Sequence, residues 1–332
     1  MKKSFASSAL AVCLLLLSST VLVAQNIANY TFTTTTSTYT TIVGQSGTTA
    51  LFSPSSATND DGYYSSIPIG FTFVYMGVQY TSVFSNANGF LAFNSSTATS
   101  WVADMPGTTY NIGRPAICPF WGDLRLINGA STHAYRTDGN AGSRVFTLEW
   151  NTVEWPYSSG TNTVSFQVKL YEATGAIEFN YDQPNTSTGN QTQGIGLTGQ
   201  GTNIFSCVTD NNFNQVSTST ATYPTVRPNA NYRMTFTPPT APSAPSNLSF
   251  TGLLLTQMTL NWQDNSSNES GFYVLRSTDN VNFTTAALTS ANATSATITG
   301  LSANTTYYFR VGAFSEGAYS SYISGTQATG SA

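Results

Sequence analysis

Four prolines fall within the eight residues Pro238-Pro239-Thr240-Ala241-Pro242-Ser243-Ala244-Pro245. A proline donates no backbone hydrogen bond, and its fixed φ holds the chain extended. Neither a helix nor an interior strand can run through such a stretch, so it reads as a stiff connector between two bodies. The expected domains are 26–237 before the seam, 238–245 as the Pro-rich linker, and 246–330 after it. On both sides short apolar runs alternate with polar residues, and clusters of Gly, Asn, Asp and Ser separate them. No 3.6-residue period persists. The expected fold class is all-β: a large β-sandwich domain followed by a smaller C-terminal sandwich.

Residues 1–25 stand apart. Lys2 and Lys3 precede an apolar run from Ala9 to Leu17, then small residues up to Gln25. That is the pattern of a secretory signal peptide, too short for a membrane span. The mature chain is expected outside the cell or at its surface, with no transmembrane segment. Without Lys2 and Lys3, nine basic residues face 15 acidic ones, a net charge of −6. Only 8% of the residues are charged. Phosphate binding needs clustered Lys and Arg, so nucleic acid is not an expected partner. Cys118 and Cys207 remain after the signal. A bridge between them would close a loop of roughly 90 residues and stabilise by about 4–5 kcal/mol in the chain-entropy picture. The alternative is two buried thiols acting as small apolar side chains.

After the seam, strands are expected at 246–251, 256–262, 271–277, 282–288, 295–300, 304–313 and 318–329, which makes a seven-stranded immunoglobulin-like sandwich. Trp262, in Met258-Thr259-Leu260-Asn261-Trp262, and Leu301-Ser302-Ala303-Asn304-Thr305-Thr306-Tyr307 resemble the buried tryptophan and the tyrosine corner of a fibronectin type III domain. The resemblance implies that Trp262 and Tyr307 are core residues. Ala303 stands where that family usually has proline. There is no Arg-Gly-Asp.

Before the seam, the order of motifs resembles the extracellular nidogen-like (NIDO) domain. Ile69-Gly70-Phe71-Thr72-Phe73 is followed by Asn86-Ala87-Asn88-Gly89-Phe90-Leu91-Ala92-Phe93. Then come Ala116-Ile117-Cys118-Pro119-Phe120-Trp121-Gly122-Asp123, Phe146-Thr147-Leu148-Glu149-Trp150, and Asn162 to Tyr171. The resemblance spans about 66 to 200 and implies an adhesion or matrix role. Within it, Pro119 bars one ladder hydrogen bond, which favours an edge, a bulge or a strand start. Phe120 and Trp121 are expected in the core, so the block reads as a packing seam and not as a reactive site.

Groups capable of chemistry are scarce. His133 is the only histidine, and it lies in an expected strand without a nucleophile elbow, so it reads as a hydrogen-bonded or solvent-facing strand residue. One histidine and two distant cysteines do not make a zinc site, and no cofactor is expected. Asn59-Asp60-Asp61-Gly62, Asp138-Gly139-Asn140 and Asp210-Asn211-Asn212 carry calcium-type oxygens, but turns favour the same residues and are the preferred reading. Glu149 and Glu154 flank a tryptophan-rich stretch. Their odd spacing places them on opposite faces of one continuous strand, where they read as solvated carboxylates. Ten Asn-x-Ser/Thr sequons, Asn29, Asn94 and Asn304 among them, follow from the composition.

Binding is the more natural expectation. Tyr63, Tyr64, Trp101, Trp155 and Tyr157 lie in or beside expected loops, and one or two of them are expected to be exposed aromatic platforms. The first reading is a non-catalytic secreted or cell-surface adhesion protein whose partner is an extracellular protein or a glycan. In it, the small domain acts as a spacer. The alternative is a carbohydrate-binding module of a polysaccharide-degrading system, and a weaker one is a glycoside hydrolase using Glu149 or Glu154. The low-charge, Thr/Asn-rich composition resembles that of exported bacterial proteins of the Bacteroidetes type. Such proteins often carry a further C-terminal sorting domain. The chain stops at Ser331-Ala332, which leaves open another export route or a longer gene.

Overall fold

The structure, a computed structural model, describes residues 26–51, 60–94, 102–109, 112–127, 132–157, 159, 163–182 and 192–331. The expected signal peptide and Trp101 lie outside them. The described chain has 21 strands and one short 3-10 turn at Ile27–Asn29. The first fourteen strands are β1 (Thr31–Thr36), β2 (Thr49–Ala50), β3 (Tyr63–Tyr75), β4 (Val78–Asn86), β5 (Phe90–Ala92), β6 (Ala116–Trp121), β7 (Thr132–Asp138), β8 (Val145–Glu154), β9 (Thr163–Tyr171), β10 (Ile177–Tyr181), β11 (Gly194–Thr198), β12 (Phe205–Val208), β13 (Val216–Ser217) and β14 (Tyr232–Thr237). They form two seven-stranded sheets, ordered β1-β14-β10-β9-β8-β7-β2 and β13-β12-β11-β6-β5-β4-β3.

The two sheets face each other across one large core. In β3 the alternation dictates which face points inward: Ile67, Ile69, Phe71, Phe73 and Tyr75 are buried, while Pro68, Gly70 and Thr72 are exposed. β3 is an edge strand, where a proline is tolerated. From the opposite sheet, Phe146, Leu148 and Trp150 of β8 and Phe166, Val168 and Leu170 of β9 fill the same core. β1 pairs with β14 and β14 with β10. The sandwich therefore reaches well beyond the motif-bearing 66–200, closing its two ends side by side in one sheet.

β6 is an interior strand, flanked by β5 and β11. Pro119 is accommodated there by a bulge: Trp121 faces Gly194 and Cys118 faces Gly196, so two residues oppose one. The strand is buried on both faces. Phe120 points into the inter-sheet core, whereas Trp121 joins a second, smaller core on the outer side with Phe90, Met105, Cys118, Phe205 and Cys207.

That register also decides the cysteines. Cys118 of β6 and Cys207 of β12 both pair with Gly196 of the strand between them. Two strand spacings put their Cα atoms on the order of 9–10 Å apart, beyond the reach of a disulfide. The possible Cys118–Cys207 bridge is thus not formed. Both are buried free thiols whose pKa burial pushes up to about 12.

The C-terminal body contains β15 (Ser246–Thr251), β16 (Gln257–Gln263), β17 (Gly271–Ser277), β18 (Thr284–Leu288), β19 (Ser295–Thr299), β20 (Thr306–Phe314) and β21 (Tyr319–Ala328). A three-stranded sheet, β15-β16-β19, packs on a four-stranded one, β18-β17-β20-β21. Trp262 lies in its core, and Tyr307 is buried with its hydroxyl accepting from the backbone N–H of Ser302 at 3.0 Å.

The two bodies touch. The β20–β21 turn sits against the β3–β4 turn: Gly77 N–H donates to the Glu316 carbonyl at 3.1 Å, and the Tyr319 hydroxyl donates to the Gly77 carbonyl at 2.7 Å. The buried Glu316 carboxylate accepts from Asn29 Nδ2 at 3.2 Å and from the Ser270 hydroxyl at 2.8 Å.

Candidate functional site

One end of the large sandwich brings together several partly exposed charged and aromatic groups, and the Asn-Gly turn organises it. Asn86 Oδ1 accepts from Asn88 N–H at 2.7 Å, which shapes the turn between β4 and β5. Asn88 then reaches both ways: its Oδ1 accepts from Leu124 N–H at 2.9 Å, and its Nδ2 donates to Asp61 Oδ1 at 2.8 Å. Gly89 must be glycine. Its φ is +81°, and a Cβ there would stand 2.0 Å from the Phe120 carbonyl oxygen. The Asn-Gly turn and the Phe-Trp-Gly-Asp segment are therefore welded together, and Asp61 is drawn in beside Asp123.

Asp60, Asp61 and Asp123 form the rim of this end. Partial burial, then the neighbouring Asp61 and Asp123 charges, raises the Asp60 carboxyl to about 6, while Arg125 pulls the other way. Burial and Asp61 also raise Asp123. Arg125 exchanges backbone hydrogen bonds with Glu154 and pairs with the Glu154 carboxylate. Its guanidinium lies 5.1 Å from the centroid of the Tyr157 ring. Tyr157 N–H donates to the Asp123 carbonyl at 2.8 Å, and its side chain is 44% exposed. The rim thus offers carboxylate acceptors, one cation and an aromatic face, an arrangement suited to recognition.

The five aromatic candidates separate. Tyr157 is exposed and Tyr63 half-buried. Trp155 is not a platform: it is fully buried, edge-on to Phe120 with ring centroids 5.0 Å apart. Tyr64 is also buried, against the His133 ring at 5.0 Å. Both are consumed in closing the sandwich end, because large rings there remove more apolar surface from water inside than on a loop.

The expectation for Glu149 and Glu154 also needs correcting. Both are fully buried, not solvated. The parity argument fails because β8 contains a bulge between Trp150 and Val153, where Thr152 takes φ +57°. Glu149 accepts from the Tyr39 hydroxyl and from Ile42 N–H, each at 2.7 Å. The segment before β2 lies over it, so the outer face of that sheet is covered at this point.

His133 is buried and bonded at both nitrogens, with Nδ1 2.8 Å from the Glu149 carbonyl and Nε2 2.8 Å from Ser85 Oγ. A carbonyl only accepts, so Nδ1 carries the proton and Nε2 accepts from the serine. Burial lowers its pKa to about 4. The pair resembles a Ser-His couple in composition only, since it is sealed in the core.

Among the described residues no three His, Cys, Asp or Glu converge to hold a metal. Asp210 is spent on its own turn, accepting from the backbone N–H groups of Asn212, Asn214 and Gln215. Asp138 pairs with Arg136. Sequence reasoning missed Arg125 and the convergence of Asp60 and Asp61 on Asp123. The scarcity of basic residues was a usable signal for Arg125; the convergence is tertiary and left none.

Known proteins bear on both bodies. The family described as "NIDO related" matches residues 29–238, and the fibronectin type III domain matches 243–326. Mouse alpha-tectorin is 27% identical over 167 residues, and human alpha-tectorin 26% over 167. Each alignment covers 43% of this chain and 8% of the relative, so the chain spans a small fraction of the curated relatives' length. Among solved structures, a computationally redesigned β-sandwich protein is 33% identical, with a TM-score of 0.25, over 27% of this chain and 92% of that one. A fibronectin type III-like protein from Clostridium thermocellum is 28% identical, with a TM-score of 0.23, over 26% of this chain and 92% of that one.

Proposed function

Because this chain belongs to the NIDO-related family and carries a fibronectin type III domain behind that region, we propose that it is a non-catalytic binding protein of the cell surface or extracellular space. In this reading residues 1–25 direct export, the large sandwich presents the binding surface, and the small domain holds it at a distance. Both domain types are extracellular and typically non-catalytic. One observation carries the reading: the Asp60–Asp61–Asp123 rim is built around an exposed Tyr157 stacked with Arg125.

The partner is an extracellular protein. Residues 26–332 are expected to be retained on an array of extracellular matrix proteins, and Tyr157→Ala is expected to weaken that retention without unfolding the chain. Absence of retention on any matrix protein or cell surface would sink the reading. Retention confined to polysaccharides, and lost in Tyr157→Ala, would replace it with a carbohydrate-binding module, for which a tyrosine face beside carboxylates is also suited. The hydrolase alternative has lost its motivation, since Glu149 and Glu154 are both buried and engaged.

A further inference from the structure

Arg227 is a charged side chain sealed inside the large sandwich, 1% exposed. It enters from the connection between β13 and β14, at the end where Trp155 follows β8 and Gln193 leads into β11. Its Nη1 donates to the Thr163 carbonyl at 3.0 Å, and its guanidinium carbon is 5.7 Å from the centroid of the Trp155 ring. Nε and Nη2 have no partner among the described residues. None of the ion pairs among the described residues involves this arginine, and Glu154, next to Trp155, is held by Arg125. Burial lowers the Arg227 pKa with no counter-charge opposing it.

Among the described residues, two buried neighbours are short of partners in the same way. Gln193 donates through Nε2 to the carbonyl of Val226, the residue before Arg227, and its Oε1 is unpartnered. The Trp155 indole N–H is unpartnered too. Buried charges are normally paired and buried polar groups hydrogen-bonded, so three such groups at one place point to a ligand.

Their chemistry says which kind. Nε and Nη2 lie on one edge of the guanidinium, the fork that fits both oxygens of a carboxylate. Gln193 Oε1 needs a donor, and Trp155 Nε1 needs an acceptor; a hydroxyl is both. We propose that Arg227, Gln193 and Trp155 form a closed site for a small hydroxycarboxylate, with the carboxylate on the arginine fork and the hydroxyl between the glutamine and the indole. This site is separate from the exposed rim and does not depend on it.

The mature chain is titrated with glycolate by calorimetry, with acetate, 1,2-propanediol and D-glucuronate as comparators. Glycolate is expected to bind saturably and more tightly than acetate, and the diol not at all. Glucuronate binding as well would identify the source as the end of an acidic saccharide; glycolate alone, a free hydroxy acid. Arg227→Lys keeps the charge and loses the fork, so affinity is expected to fall roughly tenfold. Gln193→Glu supplies a carboxylate from the chain itself and is expected to raise the thermal midpoint and abolish glycolate binding. Absence of saturable glycolate binding, equal binding by Arg227→Lys, or a lowered midpoint with binding intact in Gln193→Glu would overturn the proposal. Tyr157→Ala leaves glycolate binding unchanged, which separates this site from the rim.

Discussion

The two sandwiches solve one problem in different ways. In the small one, strands are wet on one side: β16 alternates buried and half-buried positions, and its core is Met258, Leu260, Trp262, Phe272, Val274 and Val311. In the large one, every residue of β6, β10 and β11 is buried. The outer side of these central strands is covered as well, so polar side chains such as Glu149, Gln167, His133 and Asn88 end up inside and must find partners there. A sheet covered on both faces loses the alternation that marks a half-exposed one, and its specificity moves into internal hydrogen bonds.

The sharpest way to break the comparison is to remove one core ring from each body. Phe120→Ala and Trp262→Ala each delete a buried aromatic side chain, a change that costs about 3–5 kcal/mol. Calorimetry of the mature chain is expected to show Phe120→Ala lowering the transition of the large sandwich and Trp262→Ala that of the small one. Equal displacement of every transition by either variant would mean that the chain unfolds as one unit, and the contrast would fail.

Acid separates the bodies by a different route. The sole histidine, His133, belongs to the large sandwich and is held neutral, its pKa lowered from 6.5 to about 4. The unfolded chain takes up that proton first as pH falls. The stability His133 confers is therefore complete above 6.5, is lost as pH falls from 6.5 towards 4, and is constant below. The loss is on the order of 3 kcal/mol. The raised Asp60 carboxyl works in the opposite sense within about the same window and offsets much of the slope. The small sandwich has no histidine, so its transition is expected to stay level over this range. Denaturant unfolding from pH 7 to pH 4, run on an Asp60→Asn chain so that the opposing carboxyl is removed, measures both, and a flat profile for its large sandwich would refute the assignment.

How much was legible follows from the same contrast. The strands of the small body could be placed almost residue by residue, because alternation, Trp262 and the tyrosine corner act locally. In the large body the motifs between 66 and 200 were readable. The pairing of β1 with β14 was not, since nothing in Thr31–Thr36 names a partner two hundred residues away. The parity rule misled for Glu149 and Glu154 because a single bulge inverts it. Trp155 looked like a loop aromatic because sequence shows which residues flank a strand but not which loops fold inward. Of the candidate site, Tyr157 was foreseen, while Arg125 and the meeting of Asp60 and Asp61 with Asp123 depend on Asn88 reaching across two loops.

The joint between the bodies ranks next. Glu316 carries the Asn29 and Ser270 hydrogen bonds, and both donors can turn to water, so Glu316→Ala is expected to cost about 0.5–1.5 kcal/mol for each bond lost. The expected result is looser coupling: small-angle scattering of the variant gives a broader distribution of inter-domain distances, while each sandwich keeps its own fold. An unchanged distribution would show that the Gly77–Glu316 backbone contact and Tyr319 suffice.

The smallest effects are also the most discriminating. Tyr307 and Tyr181 each make a hydroxyl hydrogen bond to the backbone that Phe would remove, Tyr181 with a further weak contact to Met234 Sδ at 3.8 Å, but in different settings. Tyr307 accepts from the Ser302 N–H at a partly buried corner. Tyr181 is fully buried, and its hydroxyl donates at 2.7 Å to the carbonyl of Pro119, beside the bulge. Once Tyr307 is Phe, the Ser302 N–H can turn to water, so Tyr307→Phe is expected to cost about 0.5–1 kcal/mol. The Pro119 carbonyl has no such recourse, which places Tyr181→Phe nearer 1–3 kcal/mol. Matched urea titrations decide it. If the two variants cost the same, internal hydrogen bonds are not what distinguishes the large sandwich, and its specificity must rest on ring packing alone.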